Sequence, residues 1–74
     1  MKTEYKYIRF VEDDGPAAYI CQNRKHGHEL GFIVWYKAWR QYIYEPLSGT
    51  IFSASCLRDV ANFLTQLNKE RDND

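Results

Sequence analysis

The apolar residues of this chain change their spacing once, and that change decides the fold class. Up to Ser53 they recur in short alternating runs, the mark of half-buried strands. After Ser55 they recur every three or four residues, with Leu57, Val60, Ala61, Leu64 and Leu67 on one side, the mark of a single amphipathic helix. A chain of 74 residues holds one domain. The expected architecture is α+β, an antiparallel β-meander of four to five strands with one C-terminal α-helix packed on one face. One helix covers one side of a sheet, so what the other side carries bears directly on function.

Turn residues divide the first part of the chain into strands over 4–12, 17–23, 28–36, 39–45 and 50–53. The helix is predicted over 56–69, with a fraying tail at 70–74. Asp13-Asp14-Gly15-Pro16 ends the first strand, because Asp and Gly accept turn conformations and Pro removes a ladder donor. Arg24-Lys25-His26-Gly27 forms a polar loop, Lys37-Ala38 a short hairpin loop, and Pro46-Leu47-Ser48-Gly49 a further turn. Ser55 suits the helix N-cap. Asp59 lies toward the positive end of the helix, and Lys69 and Arg71 toward its negative end.

If Lys37-Ala38 is a two-residue loop, Tyr36 lies opposite Trp39, and Val34 with Gln41 and Phe32 with Ile43 follow on the same side. That aliphatic side, joined by Ile8 and Phe10, is the expected floor for the helix. The opposite side then carries Ile33, Trp35, Arg40, Tyr42 and Tyr44, with Tyr5, Tyr7 and Arg9 from the first strand. Trp35 opposite Arg40 is placed for a cation–π contact. Trp, Tyr and Arg dominate protein–protein hot spots, because they combine a large apolar area with a polar tip. The same residue types can stack on unpaired bases and neutralise phosphates. Tyr5, Tyr7, Arg9, Trp35, Arg40, Tyr42 and Tyr44 are therefore the candidate partner-binding residues. Arg24, Lys25 and His26 are the candidate phosphate contacts of an alternative nucleic-acid-binding role.

Ten basic and ten acidic residues cancel, which argues against a surface that is wholly an electrostatic footprint for DNA. Charge is nonetheless uneven: between Gln22 and Tyr42 four cations (Arg24, Lys25, Lys37, Arg40) face Glu29 alone, a net +3 that the rest balances with −3. His26 and His28 with Cys21 and Cys56 match no standard zinc spacing, so no metal site is expected. The cysteines lie in apolar contexts and read as reduced, buried thiols. There is no glycine-rich phosphate loop, and Asp13 and Asp14 are adjacent in a turn with no need to converge. So small a domain also leaves little room for a substrate pocket of about 300–1,000 Å³. The expectation is a cytoplasmic protein that is not an enzyme and has no cofactor, no small-molecule substrate and no membrane association.

The runs Leu30-Gly31-Phe32-Ile33-Val34-Trp35-Tyr36 and Trp39-Arg40-Gln41-Tyr42-Ile43-Tyr44-Glu45-Pro46 resemble a group of very small uncharacterised phage and prophage proteins. The segments Thr50-Ile51-Phe52-Ser53 and Cys56-Leu57-Arg58-Asp59-Val60-Ala61-Asn62-Phe63-Leu64 extend the likeness, which covers roughly residues 18–67. Its specific part is the Trp-Tyr-x-x-Trp-Arg-Gln-Tyr element. The resemblance implies a phage origin. It also implies a partner that is a host protein, in the manner of small proteins that restrain a bacterial immune system by covering a surface. A second copy of the chain is the other candidate partner, since one helix cannot cover two apolar faces of a sheet. A further likeness, in element order only, is to the three-strand-plus-helix DNA-binding arm domain of phage-type integrases, whose sheet is more basic.

Overall fold

The computed structural model describes residues 1–72. Four strands, β1 (Ile8–Glu12), β2 (Tyr19–Asn23), β3 (Glu29–Tyr36) and β4 (Gln41–Pro46), are followed by one helix, α1 (Ala54–Asp72). The strands pair antiparallel in the order β1-β2-β3-β4, so the fold is the α+β meander with a terminal helix that the periodicity predicts. Residues 73–74 of the expected tail lie outside the described residues.

Each connection follows from its residues. The Asp13 carboxylate accepts the Ala17 N–H at 3.2 Å, which bends the chain between β1 and β2. The Asn23 side-chain oxygen accepts the N–H groups of Lys25 and His26, both at 2.9 Å, and Gly27 adopts φ 74°. This closes the next hairpin as an Asx turn with a left-handed glycine. A β-bulge at Cys21/Gln22 skips Leu30, so that Cys21 pairs Gly31 while Gln22 pairs Glu29.

The β3–β4 hairpin departs from expectation. Tyr36 pairs Gln41, not Trp39, and the loop has four residues, 37–40, with Arg40 in the left-handed region at φ 52°. Lys and Ala do not favour the primed turns that a two-residue loop needs, whereas a type I turn closed by one left-handed residue fits longer loops. The slip is two residues, so each strand keeps its faces and only the pairing moves.

Residues 50–53 form no strand. Phe52 turns in to meet the Tyr44 ring edge-on at 5.6 Å, whereas Ile51 is 92% exposed. The outer edge of β4 is already occupied: the Tyr42 N–H donates to the Asn68 side-chain oxygen at 2.7 Å, and the Asn68 amide donates back to the Tyr42 carbonyl at 3.4 Å. Asn68 thus stands in for a neighbouring peptide, and Pro46 has no N–H to offer. The first strand is also shorter than predicted. Residues 3–5 double back along β1, with the Phe10 N–H donating to the Thr3 carbonyl and the Tyr5 N–H to the Ile8 carbonyl, both at 2.9 Å. Neither edge therefore offers an uninterrupted row of donors and acceptors.

α1 begins two residues before the predicted start. Ser53, not Ser55, is the N-cap: its hydroxyl accepts the Cys56 N–H at 3.2 Å and its carbonyl accepts the Leu57 N–H at 3.0 Å. Asp59 lies beyond the first turn, which holds no acid, while Lys69 and Arg71 do occupy the last turn. The buried stripe is also rotated from the predicted one. Val60, Phe63 and Leu67 are buried, whereas Leu57 and Ala61 are exposed.

The core lies between α1 and one side of the sheet. Phe63 stacks on Phe10 with centroids 4.1 Å apart and meets the Tyr19 ring edge-on at 5.0 Å; Ile8, Cys21 and Ile33 complete the buried floor. Each such apolar side chain contributes about 1.5–3 kcal/mol on burial. Ile8 and Phe10 face the helix as expected, but they share that side with Ile33, Tyr42 and Tyr44 rather than with Phe32, Val34 and Ile43. α1 therefore covers the side of β3 and β4 that carries the tyrosines. The covered side thus takes in the rings of Tyr42 and Tyr44, while Phe63, which the predicted stripe left out, packs on Phe10 and Tyr19. Among the described residues, no helix is long and apolar enough to cross a membrane.

Candidate functional site

The predicted partner-binding residues do not form one surface; the fold distributes them over four places. Tyr5, Tyr42 and Tyr44 are drawn toward the core. The Tyr5 hydroxyl donates to the Asn62 side chain at 2.7 Å and accepts from the Gln66 amide at 3.0 Å, which pins the N-terminal segment to α1. Tyr44 lies across Gly31, and its buried hydroxyl has no hydrogen-bond partner among the described residues; the Cys21 thiol is the polar group beside it, close enough to interact but outside hydrogen-bond geometry. Burial pushes the Tyr5, Tyr19 and Tyr44 phenols up, and carries the Cys21 thiol up to about 11. These groups stay protonated and unreactive at neutral pH. Cys21 and Cys56 are both free thiols.

Trp35 and Arg40 come together at the far end of the β3–β4 hairpin, where Tyr42 flanks them. The Trp35 and Tyr42 rings meet edge-on at 5.2 Å. The cation over the indole is Arg71, with Cζ 3.9 Å from the ring centroid, rather than the predicted Arg40. The longer loop carries Arg40 past Trp35, and the last turn of α1 delivers Arg71 in its place. Trp35, Arg40, Arg71 and Asp72 line a recess of about 460 Å³. Next to it Tyr36 and Trp39 meet edge-on at 4.9 Å, and Trp39 is 65% exposed, Tyr36 40% and Trp35 37%. This end of the molecule thus presents three accessible aromatic rings and two guanidinium groups. Tyr36, Trp39 and Arg71 were absent from the predicted set. The Trp-Tyr-x-x-Trp-Arg element contains the first two, but nothing in local sequence brings Arg71, more than thirty positions away, onto Trp35.

Tyr7 and Arg9 lie elsewhere. Tyr7 joins Lys6, Asn23, Arg24, Lys25 and His26 around a recess of about 500 Å³, with the Lys6 ammonium 5.2 Å from the Tyr7 ring centroid. Arg24 is partly committed to structure, since its guanidinium donates to the Tyr5 carbonyl at 2.9 Å and its N–H to the Tyr7 carbonyl at 2.9 Å. The predicted phosphate contacts Arg24, Lys25 and His26 are therefore gathered at one pole with a lysine and an accessible ring.

Arg9 lies on the side of the sheet away from α1, its Nε donating to the Gln22 side chain at 2.9 Å. The cross-strand row Val11, Ile20, Phe32 and Glu45 runs beside it, followed by Val34 and Ile43. Phe32, Val34 and Glu45 also border a recess of about 450 Å³ with Asp13, Pro16 and Ala17. This is the side predicted to be the helix floor; among the described residues, no helix or strand packs over it. Among the described residues, no group of three or more His, Cys, Asp or Glu is placed to hold a metal ion.

No family model matches the chain. No solved structure matches it either. It is similar to the "Uncharacterized 9.3 kDa protein" of Acholeplasma phage L2, with 28% identity over 71 residues that span 93% of this chain and 91% of that protein. Over nearly its whole length, then, the chain resembles a small phage protein.

Proposed function

We propose that this chain is a non-enzymatic binding module of phage origin that engages a host protein through the exposed end of its β3–β4 hairpin. The observation that carries this reading is the clustering of Trp35, Tyr36 and Trp39 with Arg40 and Arg71 at one accessible end of the molecule. These residue types bind proteins well because rigid rings desolvate cheaply and guanidinium groups pair with carboxylates at the rim. Zero net charge suits a defined protein epitope better than general attraction to a polyanion. The role we attach to the contact is restraint of a host defence system in the cytoplasm by covering a surface of its target.

The test is affinity capture from nuclease-treated bacterial lysate, comparing the wild-type chain with Trp39→Ala and with Arg40→Ala. A partner retained by wild type and weakened about thirtyfold by Trp39→Ala, the effect of a hot spot of about 2 kcal/mol, supports the reading. Recovery of no protein, or equal recovery by all three chains, counts against it.

A second reading is favoured by one observation, that the fold adds Lys6 and Tyr7 to the Arg24, Lys25 and His26 loop. A ring beside three or four cations suits a single strand, with a base on Tyr7 and phosphates on the lysines. Fluorescence anisotropy with a labelled single-stranded oligonucleotide decides it: affinity should fall steeply between about 50 and 200 mM salt, and a flat salt response excludes phosphate contacts.

A further inference from the structure

We infer that the open side of the sheet is the interface of a homodimer, occupied by the same side of a second copy. Val11, Ile20, Phe32, Val34 and Ile43 form a continuous apolar surface there, in the register set by the strand pairings. Strand edges are the other common route to self-association, and here the N-terminal segment, Asn68 and Pro46 obstruct them. The face is what remains. Zero net charge also removes long-range repulsion between copies.

The arrangement of charges selects a second copy as the occupant and fixes how it sits. Val11, Ile20, Phe32 and Glu45 lie in one row across all four strands, with Arg9 two residues from Val11 on β1 and Glu45 at the opposite edge on β4. Two sheets packed face to face are related by a twofold axis in the plane between them. If the axis runs along the strands between β2 and β3, Phe32 of each copy lies over Ile20 of the other. Glu45 then lies over Val11 of the partner copy, within reach of that copy's Arg9, and the exchange occurs twice. An axis across the strands would instead set Glu45 over the apolar side of its own counterpart strand, with no cation near it.

With strands about 4.8 Å apart and about 3.4 Å of rise per residue, the face measures roughly 19 by 17 Å. Two such faces bury roughly 650 Å² in total, less than the about 1,200 Å² at which stable complexes begin, so the expected association is weak and transient, in the range of about 1–100 µM. The axis along the strands puts both hairpin ends at the same end of the dimer. The inference does not rest on those ends binding anything.

The experiment is sedimentation equilibrium of the full chain from about 1 µM to 1 mM, a range that brackets the expected affinity. Wild type should shift from monomer to dimer, and Phe32→Asp should weaken the dimer about 100-fold while leaving the circular dichroism spectrum unchanged, since the site faces away from the core. Arg9→Glu and Glu45→Arg should each weaken it about three- to tenfold, and the double variant should recover wild-type association. Wild type that stays monomeric throughout overturns the proposal, as does a dimer indifferent to Phe32→Asp. A double variant no better than the singles overturns the strand-parallel axis. A dimer lost on Trp39→Ala but not on Phe32→Asp overturns the face and assigns the contact to the hairpin end.

Discussion

Gly31 is the position where a single methyl group should do most damage. A Cβ built on it would stand 2.5 Å from the Tyr44 hydroxyl oxygen, 2.6 Å from Tyr44 Cζ and 2.6 Å from the Glu45 carbonyl oxygen. Among the described residues positive φ is confined to Gly27, Gly49 and Arg40, so the Gly31 backbone itself accepts alanine, and the substitution carries an intrinsic gain of about 0.5–1 kcal/mol from reduced chain entropy. Against this, overpacking costs about 1–3 kcal/mol. The Tyr44 ring must also swing off Cys21 and Phe52, losing part of the burial of an aromatic side chain, about 1–2 kcal/mol. We expect Gly31→Ala to destabilise the domain by about 2 kcal/mol, or about 8–16 °C in Tm for a domain of this size. Urea unfolding followed by circular dichroism should show a lower midpoint with an unchanged slope. In a Tyr44→Ala background the cost should shrink by at least about 1 kcal/mol, because only the Glu45 carbonyl contact remains. A Gly31→Ala protein as stable as wild type would refute the reasoning, and so would a penalty that persists undiminished without Tyr44.

Three further outcomes follow from the same contacts. Asn68→Ala removes both hydrogen bonds to the Tyr42 backbone and should cost about 1–2 kcal/mol, with faster hydrogen exchange at the Tyr42 amide by NMR as the check. Tyr5→Phe deletes the hydroxyl that joins Asn62 and Gln66, and should lower stability by about 1–2 kcal/mol in a thermal melt while leaving the sheet signal intact. Burial carries the Cys21 thiol from its ordinary 9.0 to about 11, so the unfolded chain loses that proton first. Stability should therefore be nearly level below pH 9 and fall by about 2 kcal/mol as pH rises to about 11. The raised tyrosines add a fall of the same sign at higher pH. Urea midpoints at pH 8, 9, 10 and 11 measure it; a midpoint that holds level above pH 9, or an identical fall in Cys21→Ala, would contradict the assignment.

The order and type of elements were legible because they depend on local period and turn chemistry. Alternation located β1 to β4, Asp13 to Pro16 and Arg24 to Gly27 located two connections, and the change of period located α1. Ser53 displaced Ser55 as the cap because Phe52 is drawn onto Tyr44, which places Ser53 where the helix must start. The missing fifth strand has a similar cause: a side chain sixteen residues further along the chain than Ile51–Phe52, Asn68, fills the edge that residues 50–53 would have paired with. Neither fact is written in the residues concerned.

What the sequence by itself determined is the α+β class, the face-by-face grouping within each strand, and the concentration of aromatic and basic side chains, since these follow from period and composition. Which side of the sheet the helix covers was decided only by the tertiary structure. Both sides of β3 and β4 are apolar enough to receive α1, and the choice turns on packing Phe63 between Phe10 and Tyr19 above a floor that only glycine at position 31 keeps low enough for Tyr44. That single choice drew Tyr42 and Tyr44 against the core, left Phe32, Val34 and Ile43 uncovered, and brought Arg71 to Trp35 at the end of the hairpin.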